Sequence, residues 1–436
     1  MAADPREKHE KEFKIRLKAA QNYRKEDKEE LARAELIQAL AYAEKHLGTN
    51  SEEVIEACLK LASLHASIQE PGEELRLLQR VLHIREAVGG VEGIVDSLQD
   101  LAFCHGSYGR TEEAEKLYRR AIGLCVESVQ AHHAPLRLTL LYLGDFLIEQ
   151  DRFAEAVEPL ERGLRVCARS TSYPSTCGSR TACALGVALL RVDRTEEGEA
   201  LLDQALPLVS HRSQPSSTPL RRALHIYANH LQRTDRFAKA DLIYGEALYH
   251  FGNSNRAHPV NHAHLLQAAA SNDVRLDRKD RAERRLQLGL RLLRDKVEPH
   301  HVRVLSLQQD LSNLFIPALR YADAEAILTE MVQATAHADF TDLRARERYL
   351  NNLGFVQVHL EEFPKAEANL RRALVTAGDD HGCYIIKNLG LMYQKMGYTT
   401  EAIREYEKAL PLFVKEFGEA HTVAAFIRDA LKELKA

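Results

Sequence analysis

One phrase recurs along this chain at an almost constant interval, and that recurrence restricts the possible folds more than any other feature of the sequence. Asp-Arg-Phe stands at 235–237, Asp-Arg-Thr at 193–195 and Asp-Arg-Phe again at 151–153, so that neighbouring copies are 42 residues apart. A fixed period of this length is the signature of a repeat protein. We therefore expect a stack of equivalent units, each in contact with its neighbours.

Small residues mark these units along the whole chain. A first column of small residues lies in a leading helix, helix A, and a second column follows twelve residues later in helix B. Neighbouring members of the first column are 42 residues apart, with one interval of 40 and one of 36. The first column is Ala20, Ala62, Ala102, Gly144, Gly186, Ala228, Ala270, Ser312, Gly354 and Gly390, and the second is Ala32, Glu74, Ala114, Ala156, Gly198, Ala240, Ala282, Ala324, Ala366 and Ala402.

A large residue stands four positions after each member of the second column, and another small residue stands three positions beyond that, as in Leu370 and Ala373. Spacings of four and seven place these side chains on one face of a helix. Small residues let two helices approach closely, and the large ones fill the space between them. One hairpin of helices A and B cannot bury this face alone, so stacked neighbours complete the core. Ten such repeats fill the chain.

These columns resemble the tetratricopeptide repeat. The last unit carries the motif in full, with Leu-Gly-Leu-Met-Tyr at 389–393 followed by Ala402, Tyr406 and Ala409. The resemblance implies an all-α fold, a right-handed superhelical solenoid of ten helical hairpins with a C-terminal capping helix. The long period and the stretch 417–423 are similar to the kinesin-light-chain branch of the family, which implies cargo peptides with acidic residues around an aromatic residue.

We expect one solenoid over residues 6–436. Its repeats are predicted at approximately 13–46, 55–88, 95–128, 137–170, 179–212, 221–254, 263–296, 305–338, 347–380 and 383–416, and the capping helix at 421–436. Two Ser/Thr/Pro-rich connectors, at 170–176 and 210–219, are interpreted as exposed loops, with regulatory phosphorylation as the alternative.

Composition and charge argue against several classes of protein. A net charge of −4 and a pI near 6.6 lack the basic excess of a nucleic-acid-binding protein, so no nucleic-acid partner is expected. Seven cysteines without paired spacing fit a reducing compartment. The charged first fourteen residues contain no apolar run for a signal peptide, and no run of eighteen apolar residues occurs. We expect a cytoplasmic protein without membrane insertion.

In the tetratricopeptide family helix A lines the concave surface, and the resemblance implies that the positions three and six before the first column, and one and five after it, face a groove. Those positions are basic and amide-rich from the middle of the chain onward, whereas an earlier repeat has Asp145 and Glu149 there. The candidate groove residues, with two neighbouring asparagines, are Arg180, Arg191, Arg222, His225, Asn229, Arg233, Gln267, Arg275, Arg348, Asn351, Asn352, Lys387, Asn388 and Lys395.

Guanidinium groups pair with carboxylates, and side-chain amides can bond both the N–H and the C=O of an extended backbone. The sequence therefore predicts a non-catalytic scaffold or adaptor that binds an extended, acidic segment of a protein partner. The alternatives left open are a self-associating or bridging scaffold that uses its convex face or rims, a kinesin-light-chain-type cargo adaptor and a nucleic-acid-associated factor. The oligomeric state is not determined by the sequence.

An enzyme is the competing class, but the sequence contains no His-Glu-x-x-His, no Cys-x-x-Cys and no Gly-x-Ser-x-Gly motif. The histidine pairs at 132–133 and 300–301 are interpreted as surface residues. We expect no catalytic residue, no metal ligand and no cofactor. Five arginines in helix B of the seventh repeat are interpreted as a solvated convex face, namely Arg281, Arg284, Arg285, Arg291 and Arg294.

Overall fold

The structure is a computed structural model that describes residues 5–26, 28–127, 133–168, 176–210, 218–252, 259–337, 340–377 and 382–436. These residues form twenty-one helices and no strand, so the all-α prediction is confirmed. The helices are α1 (Pro5–Lys25), α2 (Glu29–His46), α3 (Glu52–Ser67), α4 (Pro71–Val88), α5 (Val91–Ser107), α6 (Thr111–Glu127), α7 (His133–Glu149), α8 (Phe153–Ala168), α9 (Thr176–Arg191), α10 (Thr195–Ser210), α11 (Thr218–Arg233), α12 (Phe237–Gly252), α13 (Pro259–Arg275), α14 (Lys279–Leu293), α15 (Val302–Phe315), α16 (Tyr321–Ala334), α17 (Leu343–His359), α18 (Phe363–Ala377), α19 (Cys383–Lys395), α20 (Thr399–Phe417) and α21 (Thr422–Lys435).

Two compact units divide the chain, Met1–Tyr227 and Ala228–Ala436, and the division falls within α11. The first unit contains five hairpins, from α1/α2 to α9/α10. In the second unit Tyr244 of α12 donates to Asn229 and Gln232 in the last turns of α11. Four hairpins follow from α13/α14 to α19/α20, and α21 is the last described helix. The helical hairpins therefore fall where the columns of small residues predict them. The two predicted connectors at 170–176 and 210–219, with His132, lie almost entirely outside the described residues.

Small residues of helix A lie against the large residues of helix B within each hairpin. A Cβ atom added to Gly390 would lie 2.8 Å from the ring of Tyr406, and one added to Gly354 would lie 2.6 Å from Leu370. Separations this short do not occur between real side chains, so these positions require glycine unless the helices move apart. The alanines of the second column are buried completely, as Ala240 and Ala366 show.

The recurrent Asp-Arg phrase is the turn between helices A and B. Asp151, Asp193, Asp235 and Asp277 have φ angles of 55° to 62°, the left-handed conformation that aspartate tolerates better than most residues. The next residue returns its N–H to a carbonyl five residues earlier; Arg236 donates to the Leu231 carbonyl at 2.9 Å. This is the Schellman arrangement that ends a helix, which explains why the phrase repeats with the period of the fold.

Helix α21 covers the last hairpin, as the sequence predicts for a capping helix. Its buried face packs on α20, and the described core at this end consists of Cys383, Ile386, Tyr406, Ala409, Phe413, Ala424, Ile427, Ala430 and Leu431. The outward side of α21 is polar, with Arg428 and Lys432 exposed. A final hairpin would otherwise leave its apolar face in water.

Two of the arginines that the sequence assigned to a solvated face of α14 pair with carboxylates of the chain instead: Arg285 is largely buried and Arg281 is half-buried, so that part of the interpretation is wrong. The side chain of Arg285 is 14% exposed and donates to Asp273 at 2.7 Å, while the Asp273 side chain is completely buried. Arg281 donates to Asp241 at 2.6 Å and also pairs with Asp273. Burying Asp273 requires cationic partners, and the neighbouring helix supplies them.

The second column can be tested with two alanines of α18 that lie two residues apart. Ala366 is buried and Ala368 is exposed. Ala366→Leu is expected to lower the free energy of unfolding by roughly 1–3 kcal/mol, because the added methyl groups overpack the hairpin. Ala368→Leu, the matched control, is expected to change it by less than about 0.5 kcal/mol. Equal effects of the two substitutions in denaturant titrations would contradict the assignment of the column.

Candidate functional site

Each predicted groove residue lies on a helix A, but the residues differ in how many contacts they already make. In the first unit Arg222 donates to the Ile148 carbonyl at 2.7 Å, and Arg180 lies 4.0 Å from Asp145. Arg191, in the last turn of α9, places its guanidinium 4.9 Å from the centre of the Phe153 ring. His225 is half-buried on α11. Arg180 and Arg222 thus contact carboxylate or carbonyl oxygens of the chain itself.

Two candidates at the start of the second unit, Asn229 and Arg275, also have internal partners. Asn229 accepts a hydrogen bond from the Tyr244 hydroxyl at 2.5 Å. Arg275 lies 3.6 Å from Asp235 and stacks over the Phe237 ring at 4.9 Å. Arg233, at the end of α11, is exposed.

Gln267 uses its amide to join α13 to α15. It donates to the Ser306 hydroxyl and to Asp310, each at 2.6 Å, and accepts from Arg303 at 3.0 Å. Because both ends of the amide already have partners within the chain, Gln267 has little capacity left for a peptide backbone.

The remaining six candidates lie on two neighbouring helices, and we call them the α17/α19 site. Arg348 and Lys395 are exposed, and Asn352 is half-buried. Asn388 donates its amide N–H to the Asn351 side-chain oxygen at 2.8 Å, which links the two helices. The α17/α19 site consists of Arg348, Asn351, Asn352, Lys387, Asn388 and Lys395.

Lys387 is a cation without a charged partner in this site. Burial lowers the pKa of Lys387 to about 8. Its ammonium nitrogen lies 5.2 Å from the centre of the Phe355 ring, and none of the described carboxylates forms an ion pair with it. A desolvated ammonium group gains more from an incoming carboxylate than one in open solvent does.

Positive charge extends from Lys387 towards the end of α17. Burial lowers the pKa of His359, and Lys395 and Lys387 lower it further, so both ammonium groups lie near the imidazole. The His359 ring stacks on the Tyr321 ring with 4.6 Å between centres and packs edge-on against Phe355. The cations therefore border an aromatic surface.

Asn388 has an unused acceptor in the same place. The residue is 3% exposed, and its side-chain oxygen is buried with no donor from the described part of the chain. An unsatisfied buried carbonyl oxygen costs about 1–3 kcal/mol. An N–H group of a bound segment would remove that cost.

A cavity in the first unit contains residues that the sequence analysis did not single out. It has a volume of about 590 Å³ and lies between α5, α6, α7 and α9. Asp145 and Glu149 were expected at groove positions, but Asp100, Phe103 and Tyr142 were missed. Phe103 follows the small residue Ala102 by one position, so reading the groove positions in the third repeat would have found it.

The carboxylates of this cavity are accessible to solvent and yet surrounded by protein atoms. Burial raises the pKa of Asp100 to about 6, against the opposing effect of Arg85. Burial also raises the pKa of Glu149. The buried Tyr118 hydroxyl has a raised pKa because of burial first and then the charges of Glu149, Asp145 and Asp100. All three carboxylates therefore act on one wall of the cavity.

No group of three or more metal-ligating side chains occurs among the described residues. No helix in the described ranges is long and apolar enough to cross a membrane. The six cysteines with described side chains are buried and form no disulfide with one another.

Comparisons with known proteins agree with the geometry of the hairpins. Residues 385–422 match a sequence profile described as a tetratricopeptide repeat. A sequence comparison with curated proteins gives no match. A signal-transduction ATPase of the STAND class from Pyrococcus horikoshii, which carries a tetratricopeptide repeat sensor, matches with a TM-score of 0.54 and 10% identity over 88% of this chain and 55% of that one.

Two further solved structures are similar over about half of this chain. BtubC from P. vanneervenii gives a TM-score of 0.46 with 15% identity over 52% of this chain and 92% of that one. The repeats of a putative kinesin light chain from Podosopora anserina give 0.39 with 19% identity over 46% and 98%. The resemblance to tetratricopeptide repeats is confirmed, and the chain has the tetratricopeptide-repeat fold.

The state of Lys387 can be measured without a partner. Its modification by trace acetic anhydride, followed by peptide mass spectrometry across pH, is expected to show a midpoint near pH 8. Lys365 is the internal reference, because the hydrogen bond that it donates to the Glu362 carboxylate raises its pKa. Parallel labelling profiles for the two lysines would show that Lys387 is not desolvated.

Proposed function

We propose that this tetratricopeptide-repeat chain is a protein-interaction scaffold that binds an extended, acidic segment of a partner at the α17/α19 site. One observation carries the proposal: a desolvated, unpaired Lys387 ammonium group lies next in sequence to a buried Asn388 oxygen that lacks a donor. A carboxylate and a backbone N–H group are the two partners that these atoms lack. An acidic peptide supplies both.

The chemistry of the neighbouring residues supports the same ligand. Asn352 can bond the N–H and C=O groups of an extended strand, while Arg348 and Lys395 are exposed cations that attract carboxylates further along the segment. The Phe355 and His359 rings offer an apolar surface beside the cations. An acidic segment with an apolar or aromatic side chain next to its carboxylate fits this arrangement best.

The proposed site contains fewer residues than the groove expected from the sequence. Arg222, Asn229 and Gln267 already have partners within the chain, so binding a peptide at these residues would require breaking those contacts. Arg191 and Arg233 keep an exposed position, and their contribution stays a prediction. A cytoplasmic location belongs to the same proposal, since described cysteines that form no disulfide with one another are typical of a reducing compartment.

The test uses a fluorescein-labelled, terminally blocked peptide of alternating glutamate and serine, with binding measured by fluorescence anisotropy. Lys387→Gln is expected to weaken binding by about tenfold or more, because a hydrogen bond to a charged group contributes roughly 1.5–3 kcal/mol. The matched control is Lys365→Gln, which removes the same charge from an exposed lysine that pairs with Glu362. If both variants bind as tightly as the wild type, the assignment to Lys387 is wrong.

The same binding is expected to depend on pH with a definite sign. A bound carboxylate raises the pKa of Lys387 above its free value of about 8. The attraction is therefore complete below pH 8, decreases as pH rises through the raised pKa, and is absent above it. Lys387→Arg is expected to keep the affinity and to remove this decrease, because arginine stays protonated. A decrease that persists in Lys387→Arg would assign the titration to another group.

A further inference from the structure

The cavity of about 590 Å³ in the first unit has walls of a different chemistry from the α17/α19 site. Four aromatic rings and three carboxylates surround it, and Arg180 is its one lining cation among the described residues. We call it the acidic-aromatic cavity; it is lined by Gln99, Asp100, Phe103, Gly106, Ser107, Tyr118, Tyr142, Asp145, Phe146, Glu149 and Arg180.

Negative charge in this cavity is only partly compensated. Asp145 lies 4.0 Å from Arg180. Asp100 and Glu149 make no ion pair with the described residues, although Arg85 and Arg222 act on them from a distance. Each of the two is solvent-accessible, so an external cation can reach it. The cavity therefore presents two carboxylates that form no ion pair with the described residues and that Arg85 and Arg222 compensate only in part.

The rings give the cavity a second means of holding a cation. The faces of Tyr and Phe rings attract ammonium and guanidinium groups, and the attraction grows when water is excluded. Tyr118 and Phe146 form one wall, with 5.8 Å between ring centres and an angle of 47°. Phe103 is 69% exposed, so an apolar group of a partner can pack on its ring beside the carboxylates.

The volume of the cavity and the set of side chains that line it indicate whether a metal ion or an organic cation fits there. Cavities of about 300–1,000 Å³ hold organic groups, and a volume of about 590 Å³ is far larger than a dehydrated metal ion needs. No set of three metal ligands occurs in the described ranges, which include all residues lining this cavity. An ammonium or guanidinium group on an aliphatic stem matches both the carboxylates and the rings.

We propose that the acidic-aromatic cavity binds a lysine or arginine side chain presented by an extended basic segment of a second protein. The segment crosses α5, α7 and α9, the successive A helices of three repeats. Its cationic side chain lies between Asp100 and Glu149, and the apolar part of a neighbouring residue packs on Phe103. A free polyamine offers the charge but no neighbouring side chain for Phe103. The inference is independent of the α17/α19 site.

The test uses a fluorescein-labelled, blocked peptide of alternating arginine and serine at low ionic strength, with anisotropy as the readout. The variant Asp100→Asn/Glu149→Gln is expected to weaken its binding by about tenfold or more. The control Asp429→Asn/Glu112→Gln removes the same two kinds of charge from exposed positions outside the cavity, and is expected to change affinity by less than about twofold. Equal losses of affinity in both double variants would show that binding depends only on the net charge of the protein, and would overturn the proposal.

Phe103→Ala tests the aromatic contact separately. Because Phe103 is exposed, removing its ring is expected to leave the fold intact. The affinity for the basic peptide is expected to fall by about threefold or more. The control is Leu242→Ala, at a side chain 73% exposed in the second unit, where no change is expected. If Phe103→Ala binds the basic peptide as tightly as the wild type, the proposal fails. It also fails if spermine binds as tightly as the peptide and the same variants lose spermine binding, because the occupant is then not a polypeptide.

Binding is also expected to weaken as the pH falls through 6, because Asp100 then becomes protonated. The charged and titratable groups around Asp100 are Asp96 on its own helix, Arg85 on α4, Tyr118 on α6, and Asp145 and Glu149 on α7. Asp100→Asn is expected to reduce this decrease. The acidic peptide used for the α17/α19 site is expected to bind the Asp100→Asn/Glu149→Gln variant normally, so the two proposals fail or succeed separately.

Discussion

Close contact between a small residue of helix A and a large residue of helix B sets the spacing of the helices in these hairpins. Gly390 against Tyr406 and Gly354 against Leu370 show how little room is available, since even one added carbon would overlap its neighbour. The close approach buries the alanines of helix B completely and brings the A helices of successive repeats side by side. Every surface feature described above depends on that spacing, because each site is built from side chains on neighbouring A helices.

The same positions of the repeat carry opposite charges in different parts of the chain. Glu149 lies five positions after the small residue Gly144, and Lys395 lies five positions after the small residue Gly390. The backbone arrangement is shared, so the chemistry of each stretch depends on the side chains placed there. Repeat proteins divide stability and recognition in this way, since only the small and large columns must be kept for packing.

Many of the charged residues have structural roles instead. Arg278 donates to Asp241 and Arg320 to Glu283, in each case from the turn of one hairpin to the B helix of the hairpin before it. Arg285 is held by the buried Asp273. A guanidinium group that is already paired with a carboxylate of the chain offers little to an incoming acid. Counting arginines on one face therefore overestimates the positive charge that a partner meets.

The sequence by itself determined the hairpins, their order, the turn residues and the capping helix, because these depend on local periodicity and on residues such as Asp235 that tolerate a left-handed turn. The tertiary structure alone decided which polar side chains remain available. Gln267 and Arg222 are bonded to residues 36 to 74 positions away in the chain, while the Asn388 oxygen has no donor among the described residues. Asp100 and Glu149 likewise line one cavity because α5 packs on α7. Pairing and desolvation are properties of neighbours in space, and a single sequence shows only neighbours along the chain.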